Sequence, residues 1–177
     1  MKSKKQGSKN KKGSTEYKKR PDWDDYFFGI MDAVRVRGTC KGLAGCIIVK
    51  NKRIISTGYA GSAPGLKHCE EIGHLTVYTK YPDGIEREHC VRTIHAEQNA
   101  IAFAARAGVA LEDATLYVNM EPCMHCAKLI IASGIKKVIC RKRYHGAQIT
   151  RQFFKEAGIA LEVKEDELEN YDRELLN

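Results

Sequence analysis

His95, Glu97, Cys123 and Cys126 are the residues whose types and spacing most directly specify chemistry. They stand as His95-Ala96-Glu97 and, further on, Pro122-Cys123-Met124-His125-Cys126. One imidazole and two thiolates supply three ligands to a tetrahedral Zn²⁺ and leave the fourth position for water. A carboxylate beside such a water is a proton carrier, so Glu97 is the candidate acid–base group for a metal-assisted hydrolysis. By itself a C-x-x-C pair also suits a structural zinc knuckle or a redox dithiol. Joined to H-x-E at the start of an apolar helix, it favours an open, catalytic coordination site. His125 would have to double back between the two cysteines to share their ion, and is read as solvent-facing or hydrogen-bonded.

The elements that must position these groups follow from periodicity and punctuation. Pro21-Asp22 opens a first helix whose apolar positions Tyr26, Phe27, Ile30 and Val34 run at helical spacing to about Arg37, with Gly38 as its stop. Two β runs, Leu43 to Val49 and Arg53 to Tyr59, are joined by Lys50-Asn51-Lys52 and read as a hairpin. Ala60 to Arg92 reads as a long irregular stretch, the kind that serves function or a metal staple. Thr93 is the expected cap of a helix to about Ala107 with His95 and Glu97 in its first turn. A strand Thr115 to Asn119 delivers Cys123, and a helix from there to Ser133 stops at Gly134. Strand Lys137 to Cys140, helix Gln148 to Ala157 with Gly158 as its stop, and strand Ile159 to Val163 follow. Glu165 to Asn177 is read as a terminal helix or frayed end. A hairpin followed by alternating α and β units implies a mixed sheet covered by helices.

Composition narrows the class. The 177 residues, 43% of them hydrophobic, suit one globular domain. No apolar run approaches the ~20 residues needed to span a membrane, and Met1-Lys2-Ser3-Lys4-Lys5 lacks a signal peptide's apolar stretch, so an intracellular, cytoplasmic protein is expected. Seven cysteines then belong in a reducing compartment, with Cys46 and Cys140 inside apolar strands as core residues. The net charge of +8 is local: residues 1 to 20 hold nine Lys/Arg against Glu16, leaving 21 basic and 21 acidic residues in the rest. That segment has little to bury and is expected to be a disordered tail, a solvated segment or a polyanion anchor, ahead of a domain spanning 21–177. Nucleic acid is expected to contact the protein only through this tail.

The H-x-E…P-C-x-x-C pattern is the signature of zinc-dependent nucleobase deaminases. From about Asp22 to Lys164 the chain resembles the deoxycytidylate (dCMP) deaminase family of the cytidine-deaminase-like superfamily. The likeness is carried by Arg37-Gly38-Thr39-Cys40, Gly58-Tyr59-Ala60-Gly61, His68-Cys69 and Arg92-Thr93-Ile94-His95-Ala96-Glu97-Gln98-Asn99-Ala100. The resemblance implies an α/β, cytidine-deaminase-like three-layer fold with a central five-stranded mixed sheet flanked by helices. It implies hydrolysis of dCMP to dUMP and ammonia, with the Ala96 N–H donating to the base carbonyl and Tyr144 near the nucleotide. Arg141 and Arg143 are candidates for its phosphate, or part of a solvated cationic loop. The family usually reads G-Y-N-G, its Asn helping to hold the sugar, and this chain has Ala60 there.

Some members of the family carry a second, structural zinc in the insertion, for which the preferred set here is Cys40, Cys69, His74 and Cys90, with His68 or His89 able to replace a neighbouring cysteine. Free cysteines in a packed loop are the alternative. Phe103 and Arg106 match positions associated with allosteric response and subunit contact, although periodicity alone puts Phe103 in the core and Arg106 on the surface. The resemblance thus implies a homo-oligomer, hexameric in form, activated by dCTP and inhibited by dTTP with Mg²⁺. Two competing readings use the same residues. A deaminase of a different substrate, either a tRNA adenosine deaminase or another cytosine nucleoside or nucleotide deaminase, is the first; the tRNA reading draws support from the Lys-rich tail, against which stand the charge-balanced body and the cysteine-bearing insertion. A zinc-stabilised binding module without activity has no use for Glu97.

Overall fold

The computed structural model describes residues 19–81 and 84–169. The expectations for residues 1–18 and 170–177 lie outside the described residues. Helix α1 (Trp23–Arg35) starts where Asp22 accepts a hydrogen bond from the Asp25 N–H, an N-cap that satisfies one of the first-turn donors. Strands β1 (Gly45–Lys50) and β2 (Arg53–Tyr59) form the hairpin. Both turn residues, Asn51 and Lys52, have positive φ, as a two-residue turn matched to strand twist requires.

The central sheet has the order β2-β1-β7-β8-β9, with β7 (Thr115–Met120), β8 (Lys137–Lys142) and β9 (Ala160–Val163) parallel to one another and β1 antiparallel to both its neighbours. Strand alternation divides its side chains between two cores. Ile47, Val49, Tyr117 and Ile139 pack against Phe27, Phe28 and Met31 of α1. Cys46, Ile48, Leu116, Val118, Val138 and Cys140 face the opposite layer. That layer is built from α3 (Ala96–Arg106), α4 (Met124–Ala132) and α5 (Gln148–Ala157), giving the three-layer α/β architecture.

Helix α3 approaches the sheet closely because its inner face is Ala96, Ala100 and Ala104, all fully buried. A Cβ on Gly58 of β2 would collide with the backbone of Ala96 and Ala100. Small residues on both sides therefore set the depth at which the helix start is held. Phe103 is excluded from this interface and lies 58% exposed, which corrects its expected place in the core. Gly58→Ala is expected to cost about 1–3 kcal/mol through overpacking and to lower bound zinc by displacing the start of α3. A denaturant midpoint and metal content both equal to wild type would show that α3 does not depend on this contact.

The stretch Ala60 to Arg92 is more regular than its sequence suggests. It contains β3 (Gly61–Ser62), α2 (Cys69–Ile72), a β4–β5 hairpin (Thr76–Lys80 with Glu86–Cys90) and β6 (Thr93–Ile94), which pairs with β3. Thr93 thus opens the short strand β6, and the cap of α3 is His95. Residues Glu165 to Glu169 run extended beside the end of β8, with the Arg143 N–H donating to Glu167 and the Glu169 N–H to Arg143. They form no helix.

Candidate metal centre and active site

Two helix starts meet at the mouth of the sheet. His95 has extended backbone at the start of α3, where its N–H donates to Gln98 Oε1 at 3.0 Å. Cys123 occupies the same position at the start of α4, with Cys126 in the first turn. Both termini direct their positive ends at the site, which favours thiolates there. His95 Nδ1 lies 3.5 Å from Cys123 Sγ and 3.4 Å from Cys126 Sγ. A tetrahedral ion at ordinary Zn–S and Zn–N lengths separates nitrogen and sulfur ligands by about 3.5 Å, so the three atoms fit zinc as they stand. Hydrogen bonds from Cys126 and from His95 overcome burial and bring the Cys123 thiol down to about 3, while the Cys123 contact raises His95 to about 9. His125 is exposed and does not belong to this triangle.

Glu97, 6% exposed on the first turn of α3, borders the same pocket as His95 and Cys123. Burial raises its carboxyl pKa, opposed by the neighbouring His95 charge. A carboxyl moved towards neutrality is suited to taking a proton and returning it. The pocket encloses about 480 Å³, room for a small nucleotide. Ala60 and Ala44 bound one side, and Tyr144, at the end of β8, bounds another. Ala96 is the first residue of α3, so its N–H belongs to the helix-start donors.

The four residues Cys40, Cys69, His74 and Cys90 form a second cluster, with ligand atoms all within 4.8 Å of one another. Cys69 Sγ and Cys90 Sγ are 3.6 Å apart, and Cys40 Sγ is 3.7 Å from His74 Nδ1. Both are close to tetrahedral zinc edges of about 3.5–3.8 Å. The alternative histidines are engaged elsewhere: His68 Nδ1 meets Thr39 Oγ1 at 2.9 Å, and His89 Nε2 meets Tyr81 Oη at 2.9 Å. Burial raises the Cys69 thiol to about 11. Burial also opposes ionisation of Cys90, but hydrogen bonds from His74 and Thr93 outweigh it and lower that thiol to about 6.

Arg141 and Arg143 require correction. Because Cys140 points into the helical core, Arg141 points to the other face, where it holds Asp32 at 3.1 and 2.8 Å and covers the Phe28 ring. Arg143 pairs with Asp166 and lies 3.8 Å from Glu121. Neither lines the pocket.

Glu121, between β7 and Pro122, is a functional position that the sequence reading passed over. Its side chain is fully buried, accepts from Arg151 Nε at 2.7 Å and Nη2 at 2.6 Å, and accepts the Tyr144 N–H at 3.0 Å. One carboxylate thereby ties the metal-ligand loop to the Tyr144 loop and to α5. The available signal was an acid set immediately before Pro-Cys at the end of an apolar strand. Glu121→Ala is expected to destabilise the fold by about 1–3 kcal/mol, because it leaves the buried Tyr144 N–H without its acceptor, whereas the exposed Arg151 can turn to water. Urea titration reads this directly, and an unchanged midpoint would show that the network contributes nothing.

Comparison with known proteins places these features in context. The profile described as "Cytidine and deoxycytidylate deaminase zinc-binding region" matches residues 21–142. The chain is 38% identical over 151 residues to ComE operon protein 2 of Bacillus subtilis (strain 168), covering 84% of this chain and 75% of that protein. It is 40% identical over 129 residues to the deoxycytidylate deaminase of Mycobacterium phage D29, covering 70% of this chain and 97% of the phage protein. Its fold is similar to that of the dCMP deaminase of cyanophage S-TIM5 in complex with dCMP and dUMP, with a TM-score of 0.64, 23% identity, and coverage of 82% of this chain and 99% of that one. On these grounds, and with both helix starts presenting its ligand motif, the chain belongs to the family of the cytidine and deoxycytidylate deaminase zinc-binding region.

Proposed function

We propose that this protein is a dCMP deaminase, converting dCMP and water to dUMP and ammonia. The observation that carries the reading is Glu97, a buried carboxylate beside the His95, Cys123 and Cys126 triangle and open to a nucleotide-sized pocket. Deoxycytidylate deaminases among its relatives, at 34–40% identity, support the substrate.

His95, Cys123 and Cys126 would hold a catalytic zinc, which would supply Lewis acidity and lower the pKa of a bound water to about 7. Glu97 accepts the proton of the attacking water and passes it to N3 of the cytosine as the new C–O bond forms at C4. After the second O–H proton is transferred to the exocyclic amine, the C4–N bond breaks and ammonia leaves. Ala96 donates its backbone N–H to the base carbonyl, fixing the ring so that C4 faces the reacting water. Tyr144 forms part of the pocket wall.

The reading extends to a structural zinc on Cys40, Cys69, His74 and Cys90, supported by the tetrahedral spacing of those atoms. It extends also to a cytoplasmic homo-oligomer, for which exposed Phe103 on α3 offers an apolar contact. Phe103 and Arg106 then connect that contact to control by dCTP and by dTTP with Mg²⁺. The domain begins near Pro21, and the Lys-rich segment before it is dispensable for turnover. The test is to incubate the zinc-loaded chain with dCMP and follow dUMP and ammonia. Equimolar release that stops after chelation and returns with zinc supports the reading, and no release under these conditions overturns it.

A further inference from the structure

We propose that Arg87, on the β4–β5 hairpin, is the residue that recognises the 5′-phosphate of the substrate, with Lys41 as the second cation across the pocket. The proposal rests on the dCMP reading and deepens it. Arg141 pairs with Asp32 and Arg143 with Asp166, and neither arginine lines the pocket. Among the described residues that line the pocket, Lys41 and Arg87 carry the only permanent positive charges. A phosphate dianion drawn from water into the pocket is stabilised by such a charge, and a guanidinium meets it with two parallel N–H donors.

The hairpin sets Arg87 at a suitable distance from the chemistry. Residues two apart on a strand share a face, so Arg87 and His89 point the same way, about 6.8 Å apart along β5. His89 lines the same pocket as His95, Glu97 and Cys123, which puts this end of the strand beside the catalytic centre. Arg87 then stands one sugar's length outward, where the 5′-phosphate must lie when the base is over the metal ligands. Its guanidinium is held 4.9 Å from the centre of the Tyr81 ring. The Tyr81 hydroxyl is 2.9 Å from His89 Nε2 and 3.5 Å from the Tyr144 hydroxyl, so the wall carrying Arg87 is joined to the loop carrying Tyr144. Glu86 and Glu88 border the pocket from the other face of β5, where their charge disfavours an anion and leaves the Arg87 side for it. Lys41 approaches from the α1–β1 loop, on the side of Ala60, where the family's sugar-binding amide is missing.

The experiment compares wild type, Arg87→Gln and Arg87→Lys, each with its full zinc complement. Turnover of dCMP and deoxycytidine is measured together with calorimetric binding of dUMP and deoxyuridine. Loss of one charge-assisted contact to phosphate is expected to raise KM for dCMP and Kd for dUMP about 10- to 100-fold in Arg87→Gln. The kcat for dCMP, and every deoxynucleoside value, is expected to stay within about twofold of wild type, because the base still meets Glu97 and the metal ligands. Arg87→Lys should recover part of the loss by restoring the charge without the fork. Unchanged KM and Kd in Arg87→Gln, or equal losses for nucleotide and deoxynucleoside, would overturn the role of Arg87 while leaving dCMP deamination intact. A wild type that binds no dUMP and does not turn over dCMP would instead overturn the functional reading itself, and this proposal with it.

Discussion

Glu97→Gln is expected to bind zinc and dUMP as wild type does, yet to lose about 10²–10⁴-fold in kcat, the usual worth of a general acid–base group. The amide keeps the size and the buried position of the side chain at the start of α3, and His95, Cys123 and Cys126 are untouched. What disappears is the ability to accept a proton from water and give it to N3 and the departing amine. Steady-state turnover with metal analysis on the same preparation separates this loss from loss of zinc. Wild-type turnover in a zinc-loaded Glu97→Gln protein would remove Glu97 from the mechanism.

Cys90→Ser is expected to affect the fold more than the chemistry. Cys90 ends β5 and His74 precedes β4, so the second cluster clamps both strands of the hairpin at its base and joins them to Cys69 of α2 and to Cys40. A closed four-ligand zinc contributes folding free energy outright, on the order of 10 kcal/mol when measured in small peptides. Retaining only half of that would make the variant's Tm roughly 10–20 °C lower for a domain of this size. Elemental analysis should find two zinc ions in wild type, one in Cys90→Ser, and one in His95→Ala, with the melting point falling further in the first variant. One zinc in wild type, with metal and melting point unchanged in Cys90→Ser, would return Cys40, Cys69 and Cys90 to free thiols.

What could be read in advance follows a physical division between local and long-range determinants. Helix α5 ends at Gly158 because a left-handed residue, φ 68°, closes it, and a glycine after an amphipathic run announces that on its own. The metal ligands were legible because H-x-E and C-x-x-C each lie within one helix start. The β4–β5 hairpin was missed although Pro82-Asp83-Gly84 between two β-rich runs is a turn signal, because its strands are polar and half exposed and show no apolar alternation. Arg141 was misplaced by strand parity: a basic group at a strand end suits a phosphate only if it faces the ligand, and Cys140 had already taken that side. Phe103 was misplaced for a related reason, since the helix face that meets Gly58 has space for alanine alone. Glu121 and Arg151 come together across 30 positions, and no local pattern links them.

The central claim, a zinc-dependent deaminase acting on dCMP, is tested most directly by kcat/KM for the zinc-loaded protein across dCMP, CMP, deoxycytidine, dCTP and a tRNA anticodon stem-loop. The account predicts the highest value for dCMP, with dUMP as product and deoxycytidine at least about tenfold lower for want of its phosphate contact. Deamination of adenosine in the stem-loop, with dCMP left unchanged by the same preparation, would contradict it.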